Sequence, residues 1–102
     1  MVGERDSSLM KSTAILVNTS RGPVVDEAAT LRALAEKSIG SAALDVFDRE
    51  PLPANHPLRS LGNAAVTPHI GYVSRGLYEV FYRDAVEDIA ARDAGKPART
   101  LT

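Results

Sequence analysis

The sequence predicts an α/β fold built on an open parallel sheet. Short apolar runs rich in branched residues alternate with longer stretches of helical periodicity, and the links between them are short. No internal repeat, low-complexity segment or charge block interrupts that alternation. The chain has 102 residues, enough for one domain at most, and such a chain buries roughly two thirds of its unfolded surface.

The first apolar run, Ala14-Ile15-Leu16-Val17, is continuous and branched, as in a strand covered on both faces. A polar turn, Asn18 to Pro23, follows it. A helix is expected after Asp26, whose carboxylate can accept from first-turn backbone N–H groups. Leu31, Leu34 and Ala35 give that helix an i, i+3, i+4 stripe, and Gly40 stands where a left-handed helix end is expected. Ala42 to Phe47 reads as a second buried strand with an acid, Asp45, inside it, which completes a βαβ unit. Pro51, Pro53 and Pro57 make the stretch from Asp48 to Asn63 a long loop, with one helical turn near Leu58. Ala64 to Thr67 is a third strand, stopped by Pro68. A final helix from Ser74 to Ala94 is apolar over a wide arc and is expected to pack on more than one neighbour.

Composition excludes several functions. Twelve basic against thirteen acidic residues leave a net charge of -1, no footprint for a nucleic acid. The absence of Cys removes thiolate catalysis and thiolate metal sites, and two His make a dedicated metal site a poor expectation. No stretch reads as a bilayer span of roughly 20 apolar residues, and the N-terminus lacks a signal-peptide apolar core, so no membrane partner and a soluble, cytoplasmic protein are expected.

In open parallel sheets ligands bind beyond the carboxyl ends of the strands. Arg21, Asp45 and His69 fall at three such ends, and Glu50 lies in the loop leaving the second. Arg21 offers a planar fork of donors suited to a substrate carboxylate. His69 can give or take a proton at a carbonyl or hydroxyl oxygen, and a Glu50 hydrogen bond would fix its tautomer. The set suits interconversion of a 2-oxo acid and a 2-hydroxy acid, with the hydride supplied by a cofactor. A buried Asp45 needs partners: a cofactor contact and a hydrogen bond to a neighbouring loop are both open. His56 reads as a surface loop residue without a role.

The segments Asn18-Thr19-Ser20-Arg21-Gly22-Pro23-Val24-Val25-Asp26-Glu27, Ala43-Leu44-Asp45-Val46-Phe47-Asp48-Arg49-Glu50-Pro51 and Thr67-Pro68-His69-Ile70-Gly71 resemble the D-isomer-specific 2-hydroxyacid dehydrogenases, of the D-3-phosphoglycerate dehydrogenase kind. The resemblance runs from about Leu9 to Leu101. It implies a partial doubly wound, Rossmann-like sheet: the C-terminal half of an NAD-binding domain over 1–72, then a crossover helix and tail of the substrate-domain side over 73–102. It implies NAD as cofactor, NADP not being excluded, a small 2-oxo or 2-hydroxy acid as substrate, and a homo-oligomer such as a dimer. Arg21 would bind the substrate carboxylate, with His69 the acid/base and Glu50 its partner. Thr19, Ser20, Arg21, Asp45, His69 and Gly71 would surround the nicotinamide, with Gly71 allowing close backbone approach.

No G-x-G-x-x-G occurs among the seven glycines, so the phosphate-binding half of such a site is not in this sequence. The alternative reading follows from that: an inactive fragment acting as an oligomerising or protein-binding module through an open strand edge.

Overall fold

The computed structural model describes residues 1–100, so the far end of the resemblance, at Leu101, lies outside the described residues. The chain divides into two compact units, Met1–Gly71 and the residues from Tyr72 onward.

The first unit opens with a short helix, α1 (Glu4–Ser8), which no apolar stripe announces. Asp6 closes its start by accepting from the Gly3 backbone N–H at 2.8 Å. Strand β1 (Ile15–Asn18) then leads through a 3-10 turn at Gly22–Val24 to helix α2 (Glu27–Ala35). Asp26 caps α2 as expected, its carboxylate accepting from the Ala29 N–H at 2.9 Å. Strand β2 (Ser41–Leu44) pairs parallel with β1, Leu16 opposite Ala42 and Asn18 opposite Leu44. After the Pro-rich loop and a 3-10 turn at Pro57–Arg59, strand β3 (Ala64–Val66) pairs parallel with β2. The sheet order is β1-β2-β3, so all three carboxyl ends point to one rim.

Leu16, Leu34, Ile39, Ala42, Leu44, Phe47, Leu52 and Leu58 form one apolar cluster between sheet, helix and loop. Truncating a fully buried member such as Leu34 costs about 2–5 kcal/mol, lost transfer energy plus the cavity left behind.

Three expectations are corrected. β1 is covered on one face, not two: Leu16 and Asn18 are buried, while Ile15 and Val17 are 68% and 62% exposed. A branched run has the same composition in either setting, so alternation appears only in the structure. Gly40 does not end α2. Lys37 takes the left-handed conformation, φ 58°, and Lys37 and Ser38 donate back to the Leu34 and Ala33 carbonyls at 3.2 and 2.9 Å, a Schellman closure. Gly40 serves a close approach instead, since a Cβ there would lie 3.1 Å from the Ala14 oxygen. The second unit consists mainly of helix α3 (Arg75–Asp93), N-capped by Ser74, with Tyr78 and Tyr82 stacked at 5.8 Å. No residue of α3 is buried, against the expected packing on several neighbours.

Candidate functional site

The turn carrying Arg21 is built by Asn18. Buried at the end of β1, Asn18 donates from Nδ2 to the Arg21 carbonyl at 2.9 Å and accepts from the Ser20 N–H at 3.1 Å. This folds Thr19, Ser20 and Arg21 into one exposed corner beyond the strand. Gly22 then lies on the backbone of the next crossover: a Cβ there would be 2.2 Å from the Phe47 carbonyl carbon and oxygen. Nothing larger than hydrogen fits, so the Arg21 corner is seated directly on the start of the Glu50 loop.

Glu50 uses both carboxylate oxygens. Oε1 accepts from the Phe47 N–H at 3.0 Å, curling the loop back, and Oε2 lies 2.7 Å from His69 Nδ1. The His69 hydrogen bond is the main cause that holds the Glu50 carboxyl below the usual carboxylate range. The Phe47 amide adds to it, and the Arg21 guanidinium adds a weaker pull of the same sign. The Arg21 guanidinium thus acts on Glu50 through its charge, whereas His69 meets Glu50 by direct contact.

Asp45 follows β2 directly and is 5% exposed. Its carboxylate accepts from the Thr67 hydroxyl, from the Ile70 N–H at 2.9 Å and from the Gly71 N–H at 2.8 Å. The Thr67 hydrogen bond chiefly lowers its carboxyl against the opposing effect of burial. Of the two readings left open for Asp45, the loop contact is therefore present. Three donors on two oxygens still leave one acceptor position. Gly71 has a local reason too: a Cβ would lie 2.9 Å from Asp45 Oδ2.

His56 corrects its sequence reading. Its Nε2 lies 3.0 Å from Glu27 Oε1, its Nδ1 accepts from the Leu58 N–H, and Glu27 Oε2 also accepts from the Asp48 N–H at 3.2 Å. This pair ties the start of α2 to the Pro-rich loop. Asn18, Gly22, Glu27 and Thr67 escaped the sequence reading as well. Of these, only Gly22 beside Pro23 carried a local signal, a turn glycine.

A cavity of about 550 Å³ lies at the other end of the strands, lined by Ser12, Lys37, Gly40 and Asn63 among others, and holds none of the rim residues. Among the described residues no cluster of His, Cys, Asp or Glu could hold a metal, and no helix is long and apolar enough to cross a membrane.

Comparison with known proteins gives the family and the fold. A profile of the D-isomer specific 2-hydroxyacid dehydrogenase, NAD binding domain, matches residues 1–71, and the chain belongs to that family. Glyoxylate/hydroxypyruvate reductase B of Enterobacter agglomerans is 46% identical over 94% of this chain and 30% of its own length. A glyoxylate reductase of Aeropyrum pernix is 45% identical over 94% of this chain and 29% of its own. Among solved structures, D-lactate dehydrogenase with NAD+ from Lactobacillus jensenii superposes with a TM-score of 0.88 at 30% identity, covering 100% of this chain and 34% of that one. The chain spans about a third of the length of the relatives it matches.

Proposed function

We propose that this chain carries the acid/base and carboxylate-binding groups of an NAD(P)-dependent oxidoreductase that interconverts a small 2-oxo acid and its D-2-hydroxy acid. The observation that carries this reading is the 2.7 Å contact between His69 and Glu50, within reach of the Arg21 charge. The donor set fits the nicotinamide end of a cofactor: the Thr19–Arg21 backbone, the remaining acceptor position of Asp45, and the His69–Gly71 segment would hold it. When bound, that group supplies the hydride. Glu50, acceptor-only and held ionised, keeps the ring proton on His69 Nδ1. His69 Nε2 is then the atom that gives a proton to, or takes one from, the substrate C2 oxygen. Arg21 aligns the substrate through its carboxylate.

Glyoxylate and hydroxypyruvate are the first substrates to test, because the relatives are named for them, with a phosphoglycerate-type acid beside them. The test replaces the aligned segment of the Enterobacter agglomerans enzyme with this chain and follows NADH or NADPH oxidation. The hybrid is expected to turn over, Arg21→Ala mostly raising KM and His69→Ala mostly lowering kcat. Full kcat in the His69→Ala hybrid would refute the assignment.

The second reading, an inactive module that associates through its sheet edge, is favoured by one feature: β1 is an edge strand with Ile15 and Val17 exposed. Sizing chromatography of the 102-residue chain, with an NADH fluorescence titration, separates the two: a stable monomer that binds NADH removes this reading.

A further inference from the structure

We infer that Thr67 is a positioning residue: acting through the Asp45 carboxylate, it fixes the loop backbone that sets His69 Nδ1 on Glu50. The inference rests on the acid/base reading of His69 and adds to it the device that aims the ring.

His69 has φ 56°, the left-handed region, where a residue with a Cβ loses on the order of 1–2 kcal/mol relative to ordinary backbone. Such a conformation persists only when its surroundings over-determine it. Here both sides of His69 are tied to the same carboxylate. Two residues before it, the Thr67 hydroxyl donates to Asp45 Oδ1. After it, the Ile70 and Gly71 N–H groups donate to Oδ1 and Oδ2 at 2.9 and 2.8 Å. The His69 N–H closes the turn on the Thr67 carbonyl at 3.1 Å, and the Thr67 N–H donates to the Leu44 carbonyl at 3.0 Å, anchoring the loop to β2. Asp45 is a rigid post because it is buried immediately after that strand.

Of the three Asp45 donors, two are backbone amides and the Thr67 hydroxyl is the side chain. Its hydrogen bond also does most to keep the carboxylate charged, which strengthens the two amide bonds in turn. Without the hydroxyl, the loop would keep one tie on each oxygen, both downstream of His69. Upstream of the left-handed turn only the Thr67 backbone bond to Leu44 would remain, and nothing would tie that side to the Asp45 carboxylate.

The test uses the 102-residue chain with Thr67→Val, which removes the hydroxyl at equal size, and Thr67→Ser, which keeps it. Nitrogen-15 NMR reads the ring tautomer of His69, and hydrogen exchange reads the Ile70 and Gly71 amides. Thr67→Val is expected to move the ring proton off Nδ1 and to speed exchange at both amides about tenfold or more, with Thr67→Ser near wild type. A Thr67→Val protein with the wild-type tautomer and unchanged exchange overturns the inference. So does a Thr67→Ser protein that behaves like Thr67→Val. Glu50→Ala, which leaves no acceptor for the ring, is the control: if it moves the ring proton and Thr67→Val does not, the acid/base reading stands and the role of Thr67 falls. If Glu50→Ala leaves the tautomer unchanged, the pairing itself is wrong. Thr67→Ala repeats the test should Thr67→Val prove too unstable to measure.

Discussion

The first unit contains two histidine–glutamate pairs of nearly the same chemistry, His69 with Glu50 at 2.7 Å and His56 with Glu27 at 3.0 Å. Each carboxylate also accepts one backbone N–H, from Phe47 or from Asp48, so the pairs differ in which ring nitrogen meets the carboxylate and in their exposure. His56 engages both nitrogens within the protein, and its side chain and that of Glu27 are only 17% and 20% exposed. Donation by the Leu58 N–H to Nδ1 requires the proton on Nε2, so the ring is locked as a strut. His69 points Nδ1 at its carboxylate, and the pair is about twice as exposed, at 38% and 36%. The same two residue types therefore build a half-buried brace in one place and a more exposed pair in the other, the one proposed above as acid and base. Which nitrogen faces the carboxylate, and how much solvent reaches it, decides between them.

The substitution that breaks both pairs together is Gly22→Ala. Its Cβ would strike the Phe47 carbonyl at 2.2 Å, and the adjoining Phe47 and Asp48 amides are the donors to Glu50 and Glu27. Backbone must move, so a loss of about 3 kcal/mol or more is expected, read as a fall in the urea midpoint of unfolding. Next in size is the separation of the pairs. In the hybrid enzyme, His69→Ala should lower kcat by about 10²–10⁴-fold while changing stability by no more than about 0.5 kcal/mol. His56→Ala should do the reverse, costing about 1–3 kcal/mol by leaving the half-buried Glu27 and the Leu58 amide without a partner, with a smaller effect on turnover. Equal effects of the two variants on kcat would erase the distinction.

The smallest effect is on acid stability. Asp45 and Glu50 are both held below the usual carboxylate range, so both bind fewer protons folded than unfolded near pH 4. Their contribution is complete above the ordinary carboxylate values, about 4, and is lost as pH falls through the lower folded values. Glu50→Gln should flatten the pH dependence of the melting temperature below about pH 4.5 relative to wild type. An unchanged acid limb would show that the carboxylate is not engaged.

Arg21, Glu50 and His69 are legible in the sequence because each follows, or lies just beyond, an apolar run whose end marks the rim. The three parallel strands are legible for the same reason. What holds the rim in shape is far less so. Asn18 reads as one more polar turn residue, and its two hydrogen bonds depend on burial that composition does not encode. His56 and Glu27 are 29 residues apart, joined only once the Pro-rich loop folds over α2. Thr67 looks like the last β-branched residue of a strand, and only the position of Asp45 gives its hydroxyl a task. The misplaced end of α2 has a similar origin. The Schellman closure is carried by Lys37, a residue type with no left-handed preference, while the glycine that drew attention is needed for clearance beside Ala14.

Glu50 holds its own loop with one oxygen and the imidazole with the other. The position is thus a gauge of length as well as charge. An aspartate, shorter by one carbon–carbon bond of about 1.5 Å, would span to the Phe47 amide or to the ring but not to both. Sorting related chains by whether an acid of any kind stands here would therefore group together molecules whose histidines sit at different distances from their counter-charge.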